Sequence, residues 1–264
     1  MDLVYIIKAE EKNEDLRYSL RSVAKFVPHD KIWIVGYKPS WVQNVGYLPV
    51  EQKQDKWKNS VNNIIKACEC EDISENFVLM NDDFFAIKPI EDLEESTNLC
   101  MNTLDVRVNK YKKRRGSWDM GFKHLNELLK SLDLPEPYYD FELHIPMIIN
   151  KQDYLKVMFL PKVQEFMKTS KVLHKRSLYK NIYLNKKPKF TLNDVKICLR
   201  KDDTNFRKNI CDWLSVGDYI VGNPKFPYLN GLLHQTFPEP CEYEKEIPHK
   251  PIHNTKFRWS KFSQ

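Results

Sequence analysis

Two carboxylates stand side by side where an apolar run ends: Phe77-Val78-Leu79-Met80 leads into Asn81-Asp82-Asp83-Phe84-Phe85. At the end of a strand, such side chains reach a ligand. Their mutual repulsion is costly unless a cation or solvent compensates it. A Mg²⁺ or Mn²⁺ held by one or two carboxylates and by substrate phosphates is the usual remedy. It also neutralises charge on a departing diphosphate. The alternative is a solvated Asp pair at a strand-to-turn transition. Phe84 and Phe85 count against it, because an aromatic pair implies that the chain turns straight back into the core. A second chemical feature is Lys110-Tyr111-Lys112-Lys113-Arg114-Arg115, a basic run around one aromatic. It reads either as a charged loop or as a holder of an anionic polymer, nucleic acid or phosphate-rich glycan.

The elements that must position the aspartates are legible upstream. Leu3 to Ala9 is a β-branched and aromatic apolar run, expected as a buried strand. Asn13 then precedes Glu14-Asp15, an N-cap followed by an acidic first turn. Leu16, Leu20, Val23 and Phe26 fall at helical spacing, and Pro28 ends the helix. Ile32-Trp33-Ile34-Val35 is a second strand closed by Gly36, which completes a parallel β-α-β unit. Ligands in open α/β sheets bind outside the carboxyl ends of the strands. Tyr37-Lys38-Pro39-Ser40-Trp41 and Asn81-Asp82-Asp83 both fall there.

Further on, the pattern predicts a strand over Tyr47–Gln52, a helix over Asn59–Cys68 and a strand over Phe77–Met80. Beyond residue 100, Leu104 to Val108 alternates like a half-exposed strand, and Phe122–Leu132 is an amphipathic helix. Asp153–Phe159 and a longer stretch, Val163–Leu184, read as helices, and coil content rises from Pro188. The expected fold is α/β: a Rossmann-type, mostly parallel sheet flanked by helices, with a C-terminal helical and loop portion. One domain is expected over residues 1–247, divided into an acidic part at 1–100 that suits a metal and a basic part at 101–247, with a basic tail at 248–264.

The 264 residues suit one large α/β domain. Only 7 glycines occur, and no glycine-based phosphate loop is among the motifs. The opening apolar run is too short for a signal peptide and no stretch approaches a membrane span, so the chain reads as cytosolic. Six cysteines in a chain of this length fit reduced thiols better than a disulfide framework. The net charge of +6 hides an asymmetry. Residues 1–100 carry 12 Lys/Arg against 18 Asp/Glu, and the remainder carries 30 against 18, a net of +12. The acidic part suits a divalent cation, and the basic part suits an anionic donor or acceptor.

The Asn81-Asp82-Asp83 segment resembles the aspartate motif of the GT-A nucleotide-sugar transferases. More narrowly, the chain resembles the Stealth family, capsular-polysaccharide phosphotransferases related to the N-acetylglucosamine-1-phosphotransferase catalytic subunit. The likeness rests on Asn13 to Val23 with Ile32-Trp33-Ile34-Val35 and Pro39-Ser40-Trp41, and on Lys56 to Ser60 with Glu75 to Phe85. Thinner matches are Glu142-Leu143-His144-Ile145-Pro146 with Arg176-Ser177-Leu178-Tyr179, and Phe237 to Glu244. One departure stands out. The family carries a Trp-Val-Asp-Gly-like motif after its first strand, where this chain has Ile6-Ile7-Lys8-Ala9-Glu10.

The resemblance implies a GT-A-like fold, a nucleotide-sugar donor and a Mg²⁺ or Mn²⁺ ion. Asp83 is the first-choice metal ligand, Asp82 a second ligand or a support, and Asn81 a hydrogen-bond partner of the donor ribose or diphosphate. Arg17 and Arg21, four apart on one helix face, would meet the diphosphate or brace the aspartates, unless they are merely solvated. Asn59-Ser60 is read at a helix start, where backbone N–H groups favour an anion, or as a simple cap. Glu142 and His144, one residue apart, share a face if extended, and could hold a metal or take a proton from an acceptor hydroxyl. Arg176, in a run with Lys171, His174 and Lys175, would neutralise the leaving phosphate. Lys112, Lys113, Arg114 and Arg115 are the candidate acceptor-binding residues.

The leading expectation is a metal-dependent glycosyltransferase acting from a UDP-type donor on an acceptor hydroxyl. The acceptor is a glycan or an anionic polymer such as modified-base DNA. The alternatives are sugar-1-phosphate transfer from the same donor, and a non-catalytic polyanion-binding module.

Overall fold

A computed structural model describes residues 1–169, 172–184, 186–191, 196–197, 212–217 and 221–245. The first half runs β1 (Asp2–Ile7), α1 (Glu14–Phe26), β2 (Ile32–Gly36), β3 (Gly46–Pro49), α2 (Lys56–Glu69), β4 (Asn76–Met80), β5 (Phe84–Ala86), α3 (Leu93–Thr97) and β6 (Leu99–Cys100). Then come α4 (Leu104–Lys110), α5 (Ser117–Ser131), β7 (Met147–Asn150), α6 (Lys151–Met158), α7 (Pro161–Thr169) and α8 (Lys175–Ile182). The remaining elements are β8 (Lys189–Phe190), β9 (Lys196–Ile197), β10 (Trp213–Val216) and α9 (Pro227–Thr236).

The central sheet has the order β3-β2-β1-β4-β7. All its pairings are parallel except β4 with β7. The expected α/β class, with a mostly parallel sheet flanked by helices, is what the chain adopts. Alternation along the strands divides the core into two layers. Val4, Val35, Phe77 and Leu79 pack with α2, α5 and α6 on one face. Leu3, Tyr5, Ile7, Ile34 and Val78 pack with Leu16, Leu20 and Val23 of α1 on the other. Burial on both faces explains why β1 and β2 read as continuous apolar runs. Gly36 ends β2 at φ +106°, where a Cβ would lie 2.4 Å from the Ile7 carbonyl oxygen. Only glycine lets the chain leave β2 so close to β1.

A smaller sheet has the order β5-β10-β9, with Leu214 opposite Phe85 in an antiparallel pair. Phe84 and Phe85 are fully buried, as the turn back into the core requires. No described helix is long and apolar enough to cross a membrane. The cysteines at 68, 70, 100 and 241 are free thiols.

Four expectations need correction. Leu104 to Val108 is not a strand but part of α4: Leu104 and Val108, four apart, both face the core, while Val106 is 47% exposed. α2 starts at Lys56, three residues before Asn59, because Asp55 caps it by accepting from Trp57 N and Lys58 N. Val163 to Leu184 is not one helix: α7 ends at Thr169 and α8 begins at Lys175. The fourth is one of detail: after Pro188, where coil content was expected to rise, the described residues still include β10 and α9. Lys171 and the basic tail lie outside the described residues.

Candidate active site

β1 and β4 are parallel neighbours, with Tyr5 opposite Met80. From β1 the chain winds outward to β2 and β3, then α2 returns it to the other side of β1 as β4. The crevice between their carboxyl ends is therefore a topological switch point, where open α/β sheets bind ligands. Lys8 to Asn13 enters it after β1, and Asn81 to Asp83 enters it after β4.

Asn81-Asp82-Asp83-Phe84 is a tight turn, closed by Phe84 N–H donating to the Asn81 carbonyl at 3.4 Å. Helix α1 anchors the strand β5 that leaves this turn. Ser19 Oγ donates to the Phe84 carbonyl at 2.5 Å, and Ala86 N–H donates to Ser22 Oγ at 3.1 Å. Asp83 is buried, and Ser215 Oγ on β10 donates to its Oδ2 at 3.0 Å. Asp82 is half-buried, and Asn13 Nδ2 donates to its Oδ2 at 2.9 Å. The Asn13 Oδ1 meanwhile caps α1, accepting from Leu16 N–H at 2.9 Å. One amide thus ties the amino end of α1 to an aspartate. Burial, then the Asp83 charge, push the Asp82 carboxyl up to about 6, against the opposing pull of Asn13 and Lys8.

That shift has a sign. A carboxyl held above its ordinary value of 3.8 penalises the ionised folded state, so the cost is small near pH 4, builds up as pH rises toward about 6 and is complete above it. Asp82→Asn, which keeps an acceptor for Asn13, is expected to raise the melting temperature of metal-free protein at pH 7.5 and to leave it nearly unchanged at pH 4. Thermal unfolding at both pH values checks this. A lower melting temperature at pH 7.5 would mean that the Asp82 charge is already compensated.

The other candidate residues divide into groups. β7 runs antiparallel to β4 with Met147 opposite Leu79, so the segment before Met147 reaches the aspartate end of the sheet. Glu142 and His144 lie on that segment, both half-buried, alternating with buried Phe141, Leu143 and Ile145. Glu142 Oε1 accepts from Ser177 N–H at 3.0 Å, in the first turn of α8, and Oε2 lies 4.0 Å from His174 Nδ1. Arg176 donates to the Ile145 carbonyl, and its guanidinium lies 5.2 Å from the Phe84 ring centroid. It is buried behind the aspartate turn. Burial pushes the neighbouring Lys175 ammonium down to about 8.

Arg17 and Arg21, on the helix that Asn13 caps, are taken up by an acid. Both are buried on Glu244: Arg17 Nη1 reaches Oε2 at 2.5 Å, and Arg21 grips both oxygens, Nε at 2.6 Å and Nη2 at 2.9 Å. Asn59 and Ser60 lie inside α2, and the Asn59 N–H donates to the Asp55 carbonyl, so no anion site at a helix start exists there. Lys112, Lys113, Arg114 and Arg115 form an exposed turn before α5. Among the described residues no three His, Cys, Asp or Glu side chains group to hold a metal.

Four contributors are not legible as site residues in the sequence. Lys8 and Asn13 act on Asp82, Ser215 acts on Asp83, and Glu244 holds the two arginines. Asn13 carries a local signal as a cap, but its partner is 69 residues away. Ser215 and Asp83 are 132 apart, beyond the reach of any local pattern.

No protein family and no curated protein matches the chain by sequence. Solved structures to which the chain is similar include galactosyltransferase LgtC in complex with donor and acceptor sugar analogs. That match has a TM-score of 0.48 and 10% identity, and covers 89% of this chain and 96% of that one. Another is the apo form of mouse xyloside xylosyltransferase 1, with a TM-score of 0.40 and 11% identity over 78% of this chain and 91% of that one.

Proposed function

We propose that the chain is a metal-dependent transferase that takes a sugar from a nucleotide-sugar donor to an acceptor hydroxyl. One observation carries the reading: a carboxylate pair at the switch-point crevice, one member of which burial and its neighbour push up to about 6. Two carboxylates so close repel each other, and a cation shared between them relieves that cost. The oxygen donors of the pair suit Mg²⁺ or Mn²⁺, which bind through one or two carboxylates and complete their shells with water and substrate phosphates.

In this reading Asp82 and Asp83 hold the ion, which when bound offsets the charge of a departing diphosphate. Asn13 keeps Asp82 oriented and Ser215 keeps Asp83 oriented. Lys8, at the mouth of the crevice, adds positive charge for the donor phosphates, and Asn81 offers a hydrogen bond to the ribose or diphosphate. Glu142 and His144 supply the acceptor side, where a carboxylate or imidazole takes the hydroxyl proton. Arg176 acts from behind, by fixing Phe84 and Ile145 beneath the aspartates.

The test is a panel of nucleotide-sugars incubated with protein and metal, with the released nucleotide identified. Release of nucleoside diphosphate is expected, and excess chelator should abolish it. Release of monophosphate would mean sugar-1-phosphate transfer instead. Turnover that persists after the metal is shown to be removed would sink the metal assignment. Metal affinity should also fall about tenfold per pH unit below about 6, since one proton must leave Asp82 first. Calorimetric titration with Mn²⁺ at pH 5 and pH 7 reads this directly, and equal affinities would contradict it.

A further inference from the structure

We propose that the first turn of α2 and the basic turn before α5 are two banks of one track that holds an acidic glycan, a chain of hydroxylated sugar rings carrying carboxylate or phosphate groups. Sequence places Lys56 and Lys58 more than fifty residues from Lys112-Lys113-Arg114-Arg115. The fold brings them together. Trp57 on α2 and Trp118 on α5 pack with ring centroids 5.1 Å apart, so the amino ends of both helices meet. Lys56, Lys58, Lys112, Lys113, Arg114 and Arg115 are all exposed around that contact.

Little negative charge answers them. Asp55 accepts from Trp57 N and Lys58 N as the cap of α2, and Asp119 lies 3.9 Å from Arg114. None of Lys56, Lys58, Lys112, Lys113 and Arg115 forms an ion pair with a described carboxylate. A cluster of like charges on a surface repels itself and concentrates anions at its mouth. Beneath the track, packing continues through the buried His174 toward Glu142. The Trp118 ring meets His174 edge-on at 4.4 Å, and His174 Nδ1 stands 4.0 Å from Glu142 Oε2.

Two features favour a glycan over a nucleic acid. Bases bind such surfaces by stacking on open aromatic faces. Here Arg107 and Arg114 cover Tyr111 at 4.7 and 4.3 Å, and Trp57 is in contact with both Trp118, at 5.1 Å between centroids, and the Lys56 ammonium, 4.6 Å from its ring. Neither ring presents a clear platform. An acidic glycan also carries free hydroxyls on every ring, as a glycosyl acceptor must, whereas a DNA strand has its backbone hydroxyls esterified. The acceptor role rests on the transferase reading, but the binding does not.

The experiment titrates the full chain, without donor or metal, with size-defined oligogalacturonates across a range of salt. Neutral dextran oligosaccharides and single-stranded DNA of equal charge are run in parallel. Oligogalacturonate is expected to bind with an affinity that falls steeply with salt, and dextran not to bind. Lys56→Ala/Lys58→Ala and, separately, Lys112→Ala/Lys113→Ala should each weaken binding at low salt about tenfold. Each should also flatten the log-log salt slope by roughly one to two units. Lys168→Ala, on the exposed side of α7, should do neither. Unchanged slopes in both double variants would overturn the proposal, as would DNA binding more tightly than oligogalacturonate in the unaltered protein. Asp83→Asn should bind the polymer normally. If the unaltered protein binds it yet shows no metal-dependent turnover, the aspartate reading fails and the track stands. If it turns over without binding, the track fails alone.

Discussion

Asp83→Asn is expected to lower turnover by two to four orders of magnitude in a protein that folds normally. The fold should survive because the contact of Asp83 with Ser215, whose Oγ donates to Oδ2 at 3.0 Å, needs only an acceptor. An asparagine amide oxygen can accept the same bond. What disappears is one of two carboxylates at the switch-point crevice. With it goes most of the affinity for a divalent cation, and of the charge stabilisation that cation gives a departing diphosphate. Several kcal/mol lost from the transition state correspond, at about 1.4 kcal/mol per decade, to the stated range. Turnover at saturating Mn²⁺ and the melting temperature should be measured on the same preparation. A folded Asp83→Asn protein with the turnover of the parent would end the metal assignment. The pair should also diverge in stability: Asp82→Asn stabilises the metal-free fold at neutral pH, since it removes the carboxyl that burial and Asp83 hold high.

Glu244→Gln is expected to cost about 3–5 kcal/mol of stability, the range found when one partner of a buried ion pair is removed. The Glu244 side chain is 1% exposed and satisfies two buried guanidiniums at once, with Cys241 N–H as a further donor at 3.1 Å. Arg17 also lies 4.1 Å over the Trp41 ring, so it cannot swing to water without uncovering that side chain. Burial would raise the Glu244 carboxyl, but Arg21 and Arg17 outweigh it and hold it below the ordinary carboxylate range. Its stabilisation is therefore present above that range and is lost as pH falls through the lowered value. Urea unfolding of parent and variant at pH 7 reads the loss, and a change under about 1 kcal/mol would show the arginines to be solvated after all. The triple variant Arg17→Met, Arg21→Met, Glu244→Leu should recover much of the loss, because an apolar set leaves no charge unpaired.

Where each signal resides decides how much of this molecule its sequence reveals. β1, α1, β2 and β4 are legible because both sheet faces are covered and the apolar runs are dense. The aspartate turn is legible for the same reason, since Met80 and Phe84 bracket it with buried side chains. α4 reads wrongly as a strand because Leu104, Val106 and Val108 satisfy a period of two as well as a spacing of four, and only the core decides. β10 is hidden because four residues carry little periodicity and its partner, β5, lies far upstream. Arg17 and Arg21 are legible as neighbours on one helix face. Their partner is not, because Glu244 sits among other acids in Glu239-Pro240-Cys241-Glu242-Tyr243-Glu244 and nothing local distinguishes it.

The clasp between α1 and Glu244 has a consequence in time as well as in energy. Arg21 and Glu244 are 223 residues apart in the chain. At about 5–20 residues per second, roughly 11–45 s separate their synthesis on a ribosome. Through that interval β1, α1, β2 and β4 have been made and can dock, yet the two arginines have no acid to close on. The nascent sheet must keep that flank of α1 open to water until the last described residues arrive. Glu244 is thus a late-arriving fastener, and a chain truncated before it would leave a sheet that can form beside a helix whose arginine flank never closes.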